Sequence, residues 1–272
     1  MATLPLLLEP TDLEKLLENA DPNLLILDTS SAENYQKHHV PGAIHLAASR
    51  LQRGEKPAPG KLPHAEDLKA LFSEMGLTAD KHVIAYDDEG GGWAGRLIWT
   101  LDVLGHKNYS YLNGGLPAWV NEGHPVETTP NTAQANDFTV NINNEVIAEL
   151  DDVLASIDDP NTAVWDARSA KEYSGEKVVA ARGGHIPGAF NIDWLELMDK
   201  ENNLRLIDLN ALQTRLDELG ADKDKQVITH CQTHHRSGLS YLAMKLMGYQ
   251  NIKGYHGSWG EYGNREDTPI DA

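Results

Sequence analysis

One long internal repeat constrains this chain more than any other feature. Leu25-Ile26-Leu27-Asp28-Thr29-Ser30, Glu33-Asn34-Tyr35 and His39-Val40-Pro41-Gly42-Ala43-Ile44 follow one another near the start. Ala163-Val164-Trp165-Asp166-Ala167-Arg168, Glu172-Tyr173 and His185-Ile186-Pro187-Gly188-Ala189-Phe190 follow in the same order later. The match continues with Val83-Ile84-Ala85-Tyr86-Asp87 against Val227-Ile228-Thr229-His230-Cys231. It closes with Gly114-Gly115-Leu116-Pro117-Ala118-Trp119 against Gly257-Ser258-Trp259-Gly260-Glu261-Tyr262. Self-similarity over that length means two copies of one folding unit.

The pattern inside each copy gives the fold class. The runs Leu24–Leu27, Val83–Tyr86, Ala163–Trp165 and Val227–Thr229 are short, apolar and end at polar turns, as buried parallel strands do. Between them lie helical stripes. Leu239, Leu242, Ala243, Leu246 and Met247 recur at helical spacing before Gly248, and Ala94, Leu97, Ile98, Leu101 and Leu104 do so before Gly105. Alternating strand and helix predicts an α/β protein with a mainly parallel sheet flanked by helices in each copy. Thr128 to Asn136 is polar and poor in large apolar residues, so the expected division is a first domain over 1–127, a linker over 128–142 and a second domain over 143–272.

Bulk properties narrow the function. The 272 residues, 40% hydrophobic and 24% charged, suit two globular domains. A formal net charge of −18 argues against nucleic acid or an anionic membrane as partner. No apolar run reaches membrane-spanning length, and the first ten residues carry no basic region or cleavage-like site. A single cysteine allows no intramolecular disulfide and suits a reducing cytoplasm. The expectation is a cytoplasmic monomer.

That cysteine stands in His230-Cys231-Gln232-Thr233-His234-His235-Arg236-Ser237-Gly238, between a strand and a helix. In α/β sheets, ligands bind at such turns, beyond the carboxyl ends of strands. A short loop there can turn successive N–H groups inward as an anion-binding concavity, and the next helix adds its positive end. Arg236 and the imidazoles of His230, His234 and His235 are expected to add to the field that favours a thiolate. The plain alternative is a buried apolar cysteine, but five polar residues follow it directly. A zinc site would need four ligands in tetrahedral array, which adjacent loop positions cannot supply, so no metal is expected.

The tandem organisation, the two His-(Val/Ile)-Pro-Gly-Ala motifs, Asp166-Ala167-Arg168, the cysteine loop and Gly257-Ser258-Trp259 resemble the rhodanese family over nearly the whole chain. The resemblance implies two rhodanese-like domains and no cofactor. It implies that Cys231 takes the sulfane sulfur of a small anionic donor such as thiosulfate as a persulfide, then passes it to a thiophilic acceptor such as cyanide or to a sulfur-accepting protein. By the same resemblance the N–H groups of Gln232, Thr233, His234, His235 and Arg236 cradle the persulfide. Arg182, in the segment where family members place a substrate-holding arginine, is a further candidate. Cys231 to Arg236 is Cys-x4-Arg, whereas the related phosphatases carry Cys-x5-Arg around a tetrahedral oxyanion. A phosphatase or arsenate reductase is therefore the second enzyme reading, and a persulfide carrier serving a biosynthetic partner is a third. The loop lacks the Cys-Arg-Lys-Gly-Val-Thr and Cys-Gly-Ser-Gly-Val-Thr patterns of familiar family members; Thr233 stands where the former has lysine, leaving Arg236 to hold the anion.

At the position of Cys231 the first copy has Asp87, followed by Asp88 and Glu89. A carboxylate cannot carry sulfur, so the first domain is expected to be inactive and to wall the cleft. Its Gly90-Gly91-Gly92 run lacks the Lys and Ser/Thr of a phosphate loop. His39 and His185 recur where one copy has no nucleophile, so they are expected to form turns. Asp28 and Asp166 are expected to be structural, and Arg168 either reaches the cleft or pairs with a carboxylate.

Overall fold

Each apolar run becomes a strand because its alternate side chains can be buried on both faces of a sheet that helices cover. The computed structural model describes residues 4–19 and 21–272. Its strands are β1 (Leu7–Leu8), β2 (Leu24–Asp28), β3 (Ile44–His45), β4 (His82–Tyr86), β5 (Tyr109–Leu112), β6 (Ile147–Ala148), β7 (Thr162–Asp166) and β8 (Phe190–Asn191). They continue with β9 (Met198–Asp199), β10 (Arg205–Leu206), β11 (Gln226–His230) and β12 (Ile252–Tyr255). Two five-stranded sheets run in the orders β1-β5-β4-β2-β3 and β6-β12-β11-β7-β8, and β9 and β10 form a small hairpin. All pairs within the two large sheets are parallel. The two orders are the same order, so the duplication is complete at the level of topology.

Register carries the equivalence to single residues. Asp28 pairs with Tyr86 at the ends of β2 and β4, and Asp166 pairs with His230 at the ends of β7 and β11. Asp87 and Cys231 therefore leave the same strand at the same height. Both sit at the carboxyl edge of a central strand, where parallel sheets leave a crevice.

The cores are separate. Leu13, Ile26, Ile84, Tyr86, Leu112 and Trp119 pack in one, and Val153, Val164, Ile228, Tyr255, Trp259 and Tyr262 in the other. Each aliphatic side chain among them contributes about 1.5–3 kcal/mol on burial. The helices following the central strands, Gly92–Val103 and Arg236–Leu246, are buried beyond the apolar stripes read from their sequences. Arg96, Thr100 and Asp102 are buried in the first, Ser237 and Ser240 in the second.

The compact units are discontinuous in sequence. One comprises 1–51, 63–142 and 198–206, and the other 52–62, 143–197 and 207–272. Polar contacts hold the exchanged segments. In the second unit Lys61 pairs with Glu261 at 2.8 Å and Glu149 at 3.2 Å, and the Leu62 N–H donates to His256 Nδ1 at 3.1 Å. In the first, Arg205 pairs with Glu9 and Glu122, and the Leu206 N–H donates to Asn113. The polar stretch after Glu127 is tied down as well: Asn131 donates to Tyr35 and Glu127, and Asn136 to Ser73 and Leu77. Asparagine side chains supply there the anchoring that large apolar residues supply elsewhere.

Candidate active site

β11 ends at His230, and the helix Arg236–Leu246 begins five residues after Cys231. The intervening carbonyls are pinned outward. Cys231 O accepts the Trp259 N–H and Gln232 O the Gly260 N–H, each at 2.9 Å, and Thr233 O accepts the Gln52 amide at 3.0 Å. With the carbonyls engaged outside, the N–H groups of Thr233 and Ser237 turn to the Cys231 sulfur, joined by the Ser237 hydroxyl. The Cys231 N–H donates to Ser258 Oγ at 3.3 Å, which fixes the residue's own backbone.

Cys231 is wholly buried. Burial pushes the thiol up, but the Arg236 guanidinium and the donors from Ser237 and Thr233 outweigh it, and the thiol lies below its ordinary value. The site thus favours negative charge on a sulfur that ordinary burial would keep neutral. Arg236 is held by Glu172, whose two oxygens accept from its two terminal nitrogens at 2.8 and 3.0 Å. Glu172 sits in the short helix Ala170–Tyr173 and accepts the Ser169 hydroxyl at 2.8 Å in a capping box. Burial raises its carboxyl, yet the Arg236 hydrogen bond and charge bring it down to about 2.

The histidines divide. His230 is buried and its pKa falls to about 4, chiefly by desolvation, against the opposing charge of Asp166. It is a neutral ring at physiological pH, which corrects the expectation that it adds positive charge. Asp166 cannot hold it as a cation because Arg168 takes that carboxylate through bonds of 3.0, 3.0 and 2.6 Å, with the guanidinium 4.2 Å from the Trp259 ring centre. Arg168 thus pairs rather than reaching the cleft. His234 is buried beside Ser237, its Nδ1 at 2.7 Å from Ser237 Oγ. His235 is half-buried at the start of the helix, with its ring 5.6 Å from that of Trp194. Gln232 and Thr233 are half-buried, and the Gln232 amide donates to Val179 O at 3.3 Å.

Arg182 does not join this group. Its guanidinium donates to Thr268 O at 3.0 Å, to Thr268 Oγ1 and to Tyr262 O at 3.4 Å, while its carbonyl accepts Trp259 Nε1 at 3.2 Å. The charge expected to hold substrate is engaged instead by the segment around Tyr262 and Thr268. His39 and His185 stack on Tyr35 and Tyr173 at 4.0 and 3.6 Å, each with Nδ1 against that tyrosine's carbonyl, as turn-forming residues do.

The first copy shows what its own loop binds. Asp87 Oδ1 accepts the N–H groups of Glu89, Gly90 and Gly91 at 3.1, 3.1 and 2.8 Å, and Oδ2 accepts that of Ala94 at 3.0 Å. Gly90 and Gly91 hold φ of 98° and 105°, which residues with a β-carbon rarely adopt. The loop is an anion cradle filled by its own carboxylate. Burial, then the neighbouring Glu89 charge, raises Asp87 to about 6. Among the described residues, no group of three or more His, Cys, Asp or Glu side chains is placed to hold a metal ion.

The model of the rhodanese-like domain matches residues 9–122 and again 149–265. The chain belongs to the rhodanese family. It is 47% identical over 270 residues to the thiosulfate sulfurtransferase of Azotobacter vinelandii, covering 99% of this chain and 98% of that one. It is 46% identical to that of Pseudomonas aeruginosa with the same coverage. The solved anaerobic ergothioneine biosynthesis enzyme from Chlorobium limicola superposes with a TM-score of 0.88 at 19% identity, over 98% of this chain and 70% of that one, a likeness of fold. Within this rhodanese, sequence reading passed over Glu172 and Ser237. The signals were present: Ser169-x-x-Glu172 is a capping-box pattern. Asn34 stands at the place of Glu172 in the copy that lacks the arginine, and there it donates to Asp88 at 2.6 Å. No helix among the described residues is long and apolar enough to cross a membrane.

Proposed function

We propose that this rhodanese is a thiosulfate sulfurtransferase working by double displacement on Cys231. The observation that carries the reading is the buried Cys231 sulfur, hydrogen-bonded by Thr233 and Ser237 and faced by Arg236. Near-full-length similarity to proteins named thiosulfate sulfurtransferase supports it. The Cys231 thiolate attacks the outer sulfur of thiosulfate. The sulfur–sulfur bond of the donor breaks, and sulfite leaves with the electron pair. The terminal sulfur of the resulting persulfide carries the negative charge, and the loop N–H groups and Arg236 stabilise it as they stabilise the thiolate. A thiophilic acceptor such as cyanide then attacks that sulfur, leaving as thiocyanate and returning the thiolate. Cys-x4-Arg gives one residue less than the phosphatase loop, a cradle matched to one sulfur rather than a tetrahedral oxyanion. The first domain takes no part in the chemistry, because Asp87 occupies its own cradle.

The test is intact mass. Incubation with thiosulfate adds the mass of one sulfur, cyanide removes it, and Cys231→Ala shows neither change. Absence of any mass gain with sulfane donors would overturn the reading. A persulfide that forms but is taken slowly by cyanide and quickly by a protein acceptor would place this chain among sulfur carriers.

A further inference from the structure

The mechanism above leaves the side chain of His234 unused. It is wholly buried, and so is Ser237, three residues on in the first turn of the helix. His234 holds φ of 57°, a left-handed conformation costly for a residue with a β-carbon. That conformation sets its Nδ1 at 2.7 Å from Ser237 Oγ. Strain held at one point of a functional loop calls for compensating contacts, and this hydrogen bond supplies one.

The proton count gives the pair a direction. The Ser237 hydroxyl has one proton and two neighbours, the Cys231 sulfur and His234 Nδ1. When the sulfur is charged it can only accept, so the O–H turns to it. Oγ must then accept from His234, which places the imidazole proton on Nδ1. The chain reads Nδ1–H to Oγ, then O–H to sulfur, with every donor aimed at the negative charge. When Cys231 is a neutral thiol, the hydroxyl is free to turn to Nδ1 instead. We propose that His234, acting through the Ser237 hydroxyl, is a positioning residue that holds the Cys231 sulfur in its charged form. The proposal rests on Cys231 being the nucleophile, and it assigns His234 a side-chain role beyond its backbone N–H.

Other charges face the site and must be held constant in any test. Arg236 opposes the sulfur, with Glu172 behind it. His230 precedes it on β11, with Asp166 and Arg168 alongside. Lys61 and Glu261, paired at 2.8 Å, lie on the segments that bind the loop carbonyls. None of these is altered by substituting His234 or Ser237.

The experiment is a pH titration of the thiolate ultraviolet absorbance, taken as a difference from Cys231→Ala; with a single cysteine the signal is unambiguous. Ser237→Ala and His234→Ala are expected to raise the midpoint by about one pH unit, about tenfold less thiolate at a fixed pH below it. His234→Asn keeps an amide N–H close to where Nδ1–H stood and tolerates positive φ, so it is expected to stay near the native midpoint. A native midpoint in folded Ser237→Ala, or equal midpoints for His234→Asn and His234→Ala, overturns the proposal. Should His234→Ala fail to fold, Ser237→Ala and His234→Asn still decide it. Thiosulfate loading of the native protein, read by mass, fails or succeeds separately and so distinguishes loss of the sulfur-transfer reading from loss of this one.

Discussion

Glu172→Gln should weaken the fold and lower the Cys231 thiol pKa at once. The Glu172 carboxyl falls from 4.5 to about 2 in the folded chain, and the residue is only 4% exposed, so solvent screens it little. A depressed carboxyl stabilises the fold above its unfolded value and ceases to do so as pH falls through its folded one. That difference corresponds to about 3 kcal/mol at neutral pH, an upper figure because Arg236 is 19% exposed and regains some water when freed. With about 1–3 kcal/mol per molar urea as the usual slope, the unfolding midpoint should drop by about 1–3 M at pH 7. The gap between native and variant should close below about pH 4.5 and vanish near 2. The same substitution removes the anion that screens Arg236, so the Cys231 thiol should titrate lower in the variant than in the native protein. Urea unfolding across pH and a thiolate titration measure the two effects. Unchanged stability in a folded variant would refute the ion-pair reasoning. A thiol that titrates higher would show that Glu172 serves to hold Arg236 in place, and not to temper its charge.

Three further predictions test neighbouring parts of the structure. A β-carbon on Gly60 would lie 2.6 Å from the Thr233 Cα and carbonyl carbon, so Gly60→Ala should displace the loop and slow thiosulfate loading about tenfold or more; unchanged loading would show that segment 52–62 does not brace the loop. Asp87→Cys should not create a second sulfur-carrying site, because Asp88 and Glu89 stand where the active loop has neutral Gln232 and Thr233; a mass gain of two sulfurs would refute this. His230 falls from 6.5 to about 4 on folding, so protonation of the unfolded chain should cost the native protein about 2 kcal/mol of stability between pH 7 and pH 5. His230→Asn should lose less over that interval in parallel urea titrations; equal losses would show that the ring takes up its proton in the folded state.

The fold was legible because the signals that specify it are local and occur twice. Apolar runs such as Val227–Thr229, stripes such as Leu239 to Met247, and Pro-Gly turns after His39 and His185 each declare an element without reference to distant residues. Cys231 was legible as a candidate for the same reason: strand, polar loop and helix are contiguous in the sequence. Arg168 was legible only as a pair of alternatives, since nothing along the chain says whether a carboxylate or a ligand meets it.

By itself, then, the sequence determined the duplicated α/β architecture, the inequality of the two copies and the place of the single cysteine after a central strand, all of which depend on short-range pattern. Tertiary structure decided the charges around that sulfur. His230 and Arg236 are both named in the loop as sources of positive charge, yet burial leaves the first neutral, while the second, a guanidinium that stays charged, is met by the Glu172 carboxylate. Arg182 lies in the segment where a substrate-holding arginine was expected, and the carbonyls of Tyr262 and Thr268 take its guanidinium. Segment 52–62 precedes the linker in sequence, yet it packs in the second compact unit, where Gln52 donates to Thr233 O. A side chain's charge and reach are set by the partners and the water that folding leaves around it, and those come from residues far away in the chain.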